Sequence, residues 1–308
     1  MRFCRNCLLV TALILLVTAA AAVAARTSFR YDAAQRVINA CVLGIDPQTP
    51  DTHPNPYVIE GIRRSPLCPD DWVFENPLAG PTVVSGATPD QFLVKGKRDY
   101  WFVPLTDENA RRLRDMDLIY ISAPDLALTP AQMDGLATAV EAGALLWVDE
   151  DVIAGGTAVT SFPWQFEFDD MGAGTHARVA LDTRHGLLTD PYRLGVSGVS
   201  RLGEDPDWGA TGVSGLYITN VEAAFGTVVQ VGEVAGDGTV GNRRPFIVAA
   251  SWGSGSIVVS TGGVGLDVSE WVIEAAAGET GWGAGRRPSP DPAQAPDVQL
   301  ALNMIQWN

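Results

Sequence analysis

The stretch that decides the fold is DLIYISAPDLALTPAQMDGLATAVEAGALLWVDED, residues 117–151. Leu118-Ile119-Tyr120-Ile121 is a compact apolar run. Thr129-Pro130 supplies a helix N-cap and a first-turn proline, and Met133, Leu136 and Val140 recur at helical spacing. Gly143 stops the helix, Leu145-Leu146-Trp147-Val148 is a second apolar run, and Asp149-Glu150-Asp151 closes it. Runs that are apolar on both faces suit parallel strands covered by helices. The segment predicts an α/β domain with a mostly parallel central sheet flanked by helices.

Upstream, Asp99-Tyr100-Trp101-Phe102-Val103 predicts a strand. Thr106-Asp107-Glu108 then puts a cap and negative charge at the start of a helix over residues 106–114. Before that lies a different texture. Prolines at 47, 50, 54, 56, 66, 69, 77, 81 and 89 exclude regular helix and central strand over most of residues 44–89. This region predicts an irregular collar with short extended pieces at residues 57–59 and 82–85. A disordered linker is the alternative, and Tyr57, Trp72 and Phe74 argue for packing. Residues 31–42, with Val37, Ile38 and Cys41 on one side, predict a short amphipathic helix.

Downstream of Asp151 the chain turns β-rich and glycine-rich. Strands are predicted at residues 162–168, 177–181, 215–219, 226–231, 245–251 and 256–261. Gly236-Asp237-Gly238 and Gly253-Ser254-Gly255 are turn signals, the second predicting a hairpin. Residues 268–277 and 298–307 predict helices, separated by a proline- and glycine-rich loop over 281–296.

Residues 1–25 have the three parts of a secretory signal. Arg2 and Arg5 make the basic start, residues 8–17 the apolar centre, and Ala22-Val23-Ala24 a cleavage site. Left uncut, residues 7–25 are just long enough to span a bilayer and would be the chain's one membrane contact. The expected organisation is a signal at 1–25, a helix and collar at 26–98, and the α/β domain at 99–308. The expected location is outside the cytoplasm: periplasmic, cell-surface or secreted. The formal net charge of −15 repels phosphate backbones, so nucleic acid is not an expected partner.

Cys4 and Cys7 lie in the signal, which leaves Cys41 and Cys68 as an even pair in an oxidising compartment. A disulfide between them is the expectation, and two separate buried thiols the alternative.

Four local patterns carry a family resemblance: residues 117–121; Val140-Glu141-Ala142-Gly143-Ala144-Leu145-Leu146-Trp147-Val148-Asp149; Thr183-Arg184-His185-Gly186-Leu187-Leu188; and the hairpin over 250–259. In this order they resemble the class I glutamine amidotransferase-like fold, in the branch that contains ThuA-like domains and exported bacterial domains of unknown function. The third and fourth look like that family's His-Pro-Leu-Leu segment and Tyr-Gly-x-Gly-Arg-Val hairpin, with Gly186 for the proline and Trp252 for the tyrosine. The resemblance covers residues 100–307 and implies a flavodoxin- or amidotransferase-like sheet. Active members use a cysteine on a strand-to-helix turn, activated by a histidine, because the thiolate is the nucleophile and needs a base beside it. Here the turn after Trp147-Val148 reads Asp149-Glu150-Asp151. Cys41 and Cys68 precede the core, and His53, His176 and His185 supply no pairing of the family's kind near the C-terminus. The expectation is that the Cys-His machinery is absent and no catalytic residue can be named.

Other candidates stand beside structural readings. Asp149, Glu150 and Asp151 lie at a strand's carboxyl end, where open α/β sheets hold ligands. With Asp169 and Asp170, Asp149 and Asp151 could hold a hard divalent cation; against this, alternation turns neighbouring side chains to opposite faces. No other cofactor is expected. His185 is a candidate binding residue, as a general base or metal ligand, or else the cap of a turn before Leu187-Leu188. Ser251 and Ser254 belong to a hairpin, not to a nucleophile elbow. Gly262-Gly263-Val264-Gly265 lacks the lysine of a phosphate loop and reads as a tight turn. Trp208 and Trp282, in glycine-rich stretches, are candidates for carbohydrate stacking or partner contact.

Two functions follow from the sequence. The first is a non-catalytic binding or assembly domain with a protein partner or self-association. The second is a metal-assisted hydrolase using the acidic strand end at 149–151.

Overall fold

The computed structural model describes residues 35–44, 58–79, 100–122, 128–150, 164, 166–203, 214–221, 224–265, 268 and 296–308. Two compact units make up the chain, a small one of residues 1–37 with 70–73 and a large one of residues 38–69 with 74–308. In the small unit the Arg36 N–H donates to the Asp71 carbonyl at 2.8 Å, and the Arg36 guanidinium sits 5.0 Å from the centre of the Trp72 ring.

The described strands are β1 (Arg36–Gly44), β2 (Trp72–Glu75), β3 (Phe102–Pro104), β4 (Leu118–Ser122), β5 (Leu145–Glu150), β6 (Glu167–Asp170), β7 (His176–Ala180), β8 (Leu216–Thr219), β9 (Gly226–Val234), β10 (Val240–Trp252) and β11 (Gly255–Thr261). The helices are α1 (Val58–Arg64), α2 (Asp107–Arg112), α3 (Pro130–Ala142), α4 (Gly186–Thr189), α5 (Gly195–Val199) and α6 (Pro296–Trp307). Nine strands form one sheet in the order β2-β1-β4-β5-β11-β10-β9-β7, with β3 also paired to β1; β6 and β8 form a separate two-stranded sheet.

The α/β class holds, but the sheet is mixed rather than mostly parallel. β1 runs parallel to β3 and β4, β4 to β5, and β5 to β11. From β11 onward every pairing is antiparallel. The switch is local. Gly253, at φ +63°, lets the chain turn back in two residues so that Trp252 pairs with Gly255.

The β4-α3-β5 unit forms as its residues dictate. The Thr129 hydroxyl accepts from Gln132 N–H while the Gln132 side chain accepts from Thr129 N–H, a reciprocal cap, and Pro130 occupies the first turn. Gly143, at φ +127°, ends the helix. Alternation along β5 then sends Leu146 and Val148 to one face with Ile119, Ile121, Ile257 and Val259. There they meet Leu136, Ala139 and Val140 of α3 and the aromatic side chains of Trp164, Phe166 and Phe168. α1 and α6, which pack on each other, contribute a second buried set outside this cluster, including Ile59, Ile62, Leu300 and Met304.

Three further expectations are corrected. Residues 31–42 do not form a helix where described: Arg36–Gly44 is strand β1. The 37, 38, 41 spacing mimics a helical stripe, but residues 40–43 are all buried because both faces of this inner strand are covered. Residues 58 and 59 are helical, not extended. Glu60 accepts from Arg63 three residues on and Arg64 four residues on, which fixes α1 as a helix. The expected Cys41–Cys68 bridge is not formed. Cys41 lies in β1 within the core under α3, whereas Cys68 sits in the turn after α1, its Sγ 3.9 Å from the Pro69 carbonyl oxygen. Burial pushes the Cys41 thiol far up from its ordinary value.

The strand expected at 99–103 begins later, at Phe102. The helix from Thr106 runs over Asp107–Arg112, with the Thr106 hydroxyl accepting from Asn109 N–H. The strand expected at 162–168 begins at Glu167. The signal at 1–25, the extended piece at 82–85, residues 45–57 and 80–89 of the collar, most of the helix expected at 268–277, and the loop at 281–295 fall outside the described residues. No described helix is long and apolar enough to cross a membrane.

Candidate functional site

The carboxyl ends of β4, β5 and β11 bring together a set of buried polar groups. Trp147 and Asp149 share one face of β5, and parallel register sets Tyr120 beside Trp147 and Ser260 beside Asp149. The Ser260 hydroxyl donates to Asp149 Oδ1 at 2.5 Å, and Trp147 Nε1–H donates to Ser260 Oγ at 2.8 Å. Asp149 Oδ2 accepts from the Gly265 N–H at 2.8 Å and from the Tyr120 hydroxyl at 3.4 Å. Asp149 and Ser260 are both inaccessible. Each carboxylate oxygen therefore has donors from the chain itself, which is how a buried charge is kept in a folded protein.

Gly265 makes this geometry possible. A Cβ there would lie 2.3 Å from the Tyr120 hydroxyl oxygen and 2.9 Å from Asp149 Oδ2, so only glycine lets the backbone reach the carboxylate. Gly262 and Gly263, at φ +72° and +77°, form the turn that carries the chain from β11 to Gly265. The glycine run is a tight turn closing on Asp149, not a cradle for phosphate.

A second ring of groups adjoins this one. Asp297, in the first turn of α6, accepts from the Gly203 N–H at 2.8 Å, and Arg178 Nη2 reaches the Gly203 carbonyl at 3.5 Å. The Arg178 guanidinium lies 4.1 Å from the centre of the Phe246 ring. Burial raises Asp297 to about 7, the like charge of Asp149 adds to the rise, and the Gly203 amide and Arg178 oppose it.

The other sequence candidates are dispersed. Glu150 points away from Asp149, as alternation requires, and is buried. Asp169 and Asp170 belong to β6 of the smaller sheet. Asp169 accepts from Tyr217 at 2.6 Å and Asp170 from the Gly172 N–H at 3.0 Å. Among the described residues no three acidic, histidine or cysteine side chains converge on a cation site. Asp151, His53, Trp208 and Trp282 lie outside the described residues. His185 caps α4, its Nδ1 accepting from the Leu187 N–H at 3.3 Å, and its ring lies against Trp307. Burial lowers its basicity, opposed by Asp182. His176 is on β7, packed by Gly174 and Gly215.

Tyr120, Trp147, Ser260, Gly265, Arg178 and Asp297 are the site residues that sequence reading missed. One signal was present: Ser260-Thr261 directly follows the apolar run 257–259, placing polar side chains at a strand's carboxyl end. Nothing in sequence could bring Asp297 to Asp149, because 148 residues separate them, the difference of the two numbers.

No protein-family model and no curated protein matches the chain. Among solved structures it is similar to the cytoplasmic protein STM3548 from Salmonella typhimurium, at 12% identity and a TM-score of 0.37, over 82% of this chain and 85% of that one.

Proposed function

We propose that this chain is an exported, non-catalytic binding or assembly domain with an amidotransferase-like fold, acting in the periplasm or at the cell surface through a protein partner or self-association. One observation carries the reading. At the strand end where active members of that fold hold a thiolate, Asp149 stands with both oxygens engaged, and the adjacent hydroxyl, Ser260, is fully buried and donates to a carboxylate. A nucleophile must be reachable and must have a base that takes its proton. Ser260 is bonded on both sides within the sheet, and His185 and His176 are engaged or packed on other elements. The strand end works as a structural lock that fixes β4, β5 and β11 against the turn at 262–265.

The test pairs two assays on the purified chain. Sedimentation across a hundredfold concentration range should show an increase in size, or a size shift on mixing with an envelope extract followed by identification of the bound protein. Model esters, glycosides and glutamine should not be turned over. Turnover that disappears in Asp149→Asn overturns the reading in favour of a hydrolase.

A further inference from the structure

His185, half-buried beside the last turn of α6, ties two turns of chain together. On the side before it, the His185 N–H donates to the Asp182 carbonyl at 3.2 Å, and the Arg184 N–H donates to Asp182 Oδ1 at 2.9 Å. On the side after it, Nδ1 accepts from the Leu187 N–H at 3.3 Å. The His185 carbonyl accepts from the Leu188 N–H at 2.9 Å and from the Thr189 hydroxyl at 3.0 Å. The imidazole lies 5.4 Å from the Trp307 ring, centre to centre. A Cβ on Gly186 would come within 2.8 Å of Trp307 Cδ1, so glycine is what lets the indole pack against this turn.

The donor in the Leu187 bond is a backbone amide, whose role cannot reverse. Nδ1 must therefore carry the lone pair, and the imidazole that caps α4 is the neutral form with its proton on Nε2. A proton arriving on Nδ1 sets two donors face to face and puts a positive charge against the first amides of α4. The far end of α4 is held by groups that take up no proton. Asn303 of α6 donates to the Leu187 carbonyl at 2.9 Å and to the Tyr192 carbonyl at 2.7 Å, and it accepts from the Tyr192 N–H at 2.9 Å. We propose that His185 is a proton-operated latch: a proton taken up at Nδ1 breaks the Leu187 bond and opens the first turn of α4, while Asn303 keeps the rest of the segment docked on α6. The latch goes beyond the binding role and does not depend on it.

Among the described residues the charges near the ring come from its own turn. Burial lowers the basicity of His185, and the negative charge of Asp182 opposes that without overcoming it. Arg184 is its chain neighbour, α4 carries no charged side chain, and Asp190 follows the last residue of α4. On α6 the charged side chain is Asp297, in the first turn and so at the opposite end from Trp307. The Trp307 ring is itself able to accept a cation. A histidine lowered in the fold contributes stability that is present above its ordinary value, 6.5, and is lost as pH falls below it, so acid opens the latch.

Amide exchange of the full chain, read by NMR as protection factors between about pH 5 and about pH 8, spans the ordinary histidine range. Leu187 should be protected at the upper end and lose protection at the lower, with the midpoint at which the His185 ring nitrogens titrate. Tyr192 should stay protected throughout. His185→Asn, whose side-chain oxygen caps a helix and does not titrate, should keep Leu187 protected at both ends. Equal protection of Leu187 across the range, a loss that persists in His185→Asn, or a loss shared by Tyr192 would each overturn the latch. Should His185→Asn fail to fold, the wild type decides: coincident midpoints for the ring and the Leu187 amide uphold the proposal, and separate midpoints overturn it.

Discussion

Ser260 and Asp149 stand side by side on adjacent parallel strands, and the Ser260 hydroxyl donates to Asp149 Oδ1 over 2.5 Å while itself accepting from Trp147 Nε1–H. A hydroxyl that receives one bond and gives another inside a sheet is fixed in orientation. It lowers the cost of the buried carboxylate and satisfies the indole; it is not poised to attack.

Replacing that hydroxyl leaves two buried polar atoms short of a partner. Ser260→Ala should destabilise the fold by about 2–4 kcal/mol, within the cost of one or two unsatisfied buried groups. Ser254→Ala, exposed in the β10–β11 turn, should change stability by less than about 0.5 kcal/mol. Urea unfolding of both variants checks the contrast, and equal effects would mean the Ser260 bonds contribute nothing.

The close approach of Gly265 gives a second contrast. Gly265→Ala forces a methyl onto Tyr120 and Asp149 and should cost about 1–3 kcal/mol. Gly236→Ala, where a Cβ meets nothing within 4 Å, should be neutral or slightly stabilising. Thermal unfolding of the pair is sufficient, and an alanine tolerated at 265 would show that the turn can withdraw from the carboxylate.

The two cysteines of the domain should differ in reactivity. Native protein treated with a thiol reagent and mapped by mass spectrometry should be modified at Cys68, which is partly exposed, and at Cys41 only after unfolding. Protection of both thiols until reduction would restore the bridge that the fold does not form.

Acid stability should depend on Glu60. Burial alone would raise this carboxyl, but the hydrogen bonds and charge of Arg63, with the Trp101 indole and Arg64, outweigh burial and hold it at about 2. A lowered carboxyl contributes stability that is present above its ordinary value, 4.5, and lost as pH falls toward 2. Glu60→Gln should therefore flatten the acid limb of the midpoint-versus-pH curve between those values. An unaltered limb would place the acid sensitivity elsewhere.

How far this could be read in advance depends on the range of the interactions. The β4-α3-β5 unit was legible because Thr129, Pro130 and Gly143 act within a few residues of where they stand. The β10–β11 hairpin was legible for the same reason, through Gly253. Arg36–Gly44 was misread because Val37, Ile38 and Cys41 satisfy a helical spacing locally, and only burial of both faces in the assembled sheet makes the segment a strand. Asp149 was singled out by its place at a strand end, but what surrounds it was not legible. Ser260 comes from a strand 111 residues away and Gly265 from the turn beyond it.

The central proposal, a strand end locked by a carboxylate with no reactive nucleophile among the described residues, is tested most directly by activity-based labelling of the folded protein. A fluorophosphonate and a thiol-directed probe, followed by peptide mapping, should leave Ser260 unmodified under conditions that modify Cys68. Stoichiometric fluorophosphonate labelling of Ser260 in the native protein, absent after unfolding, would contradict the account.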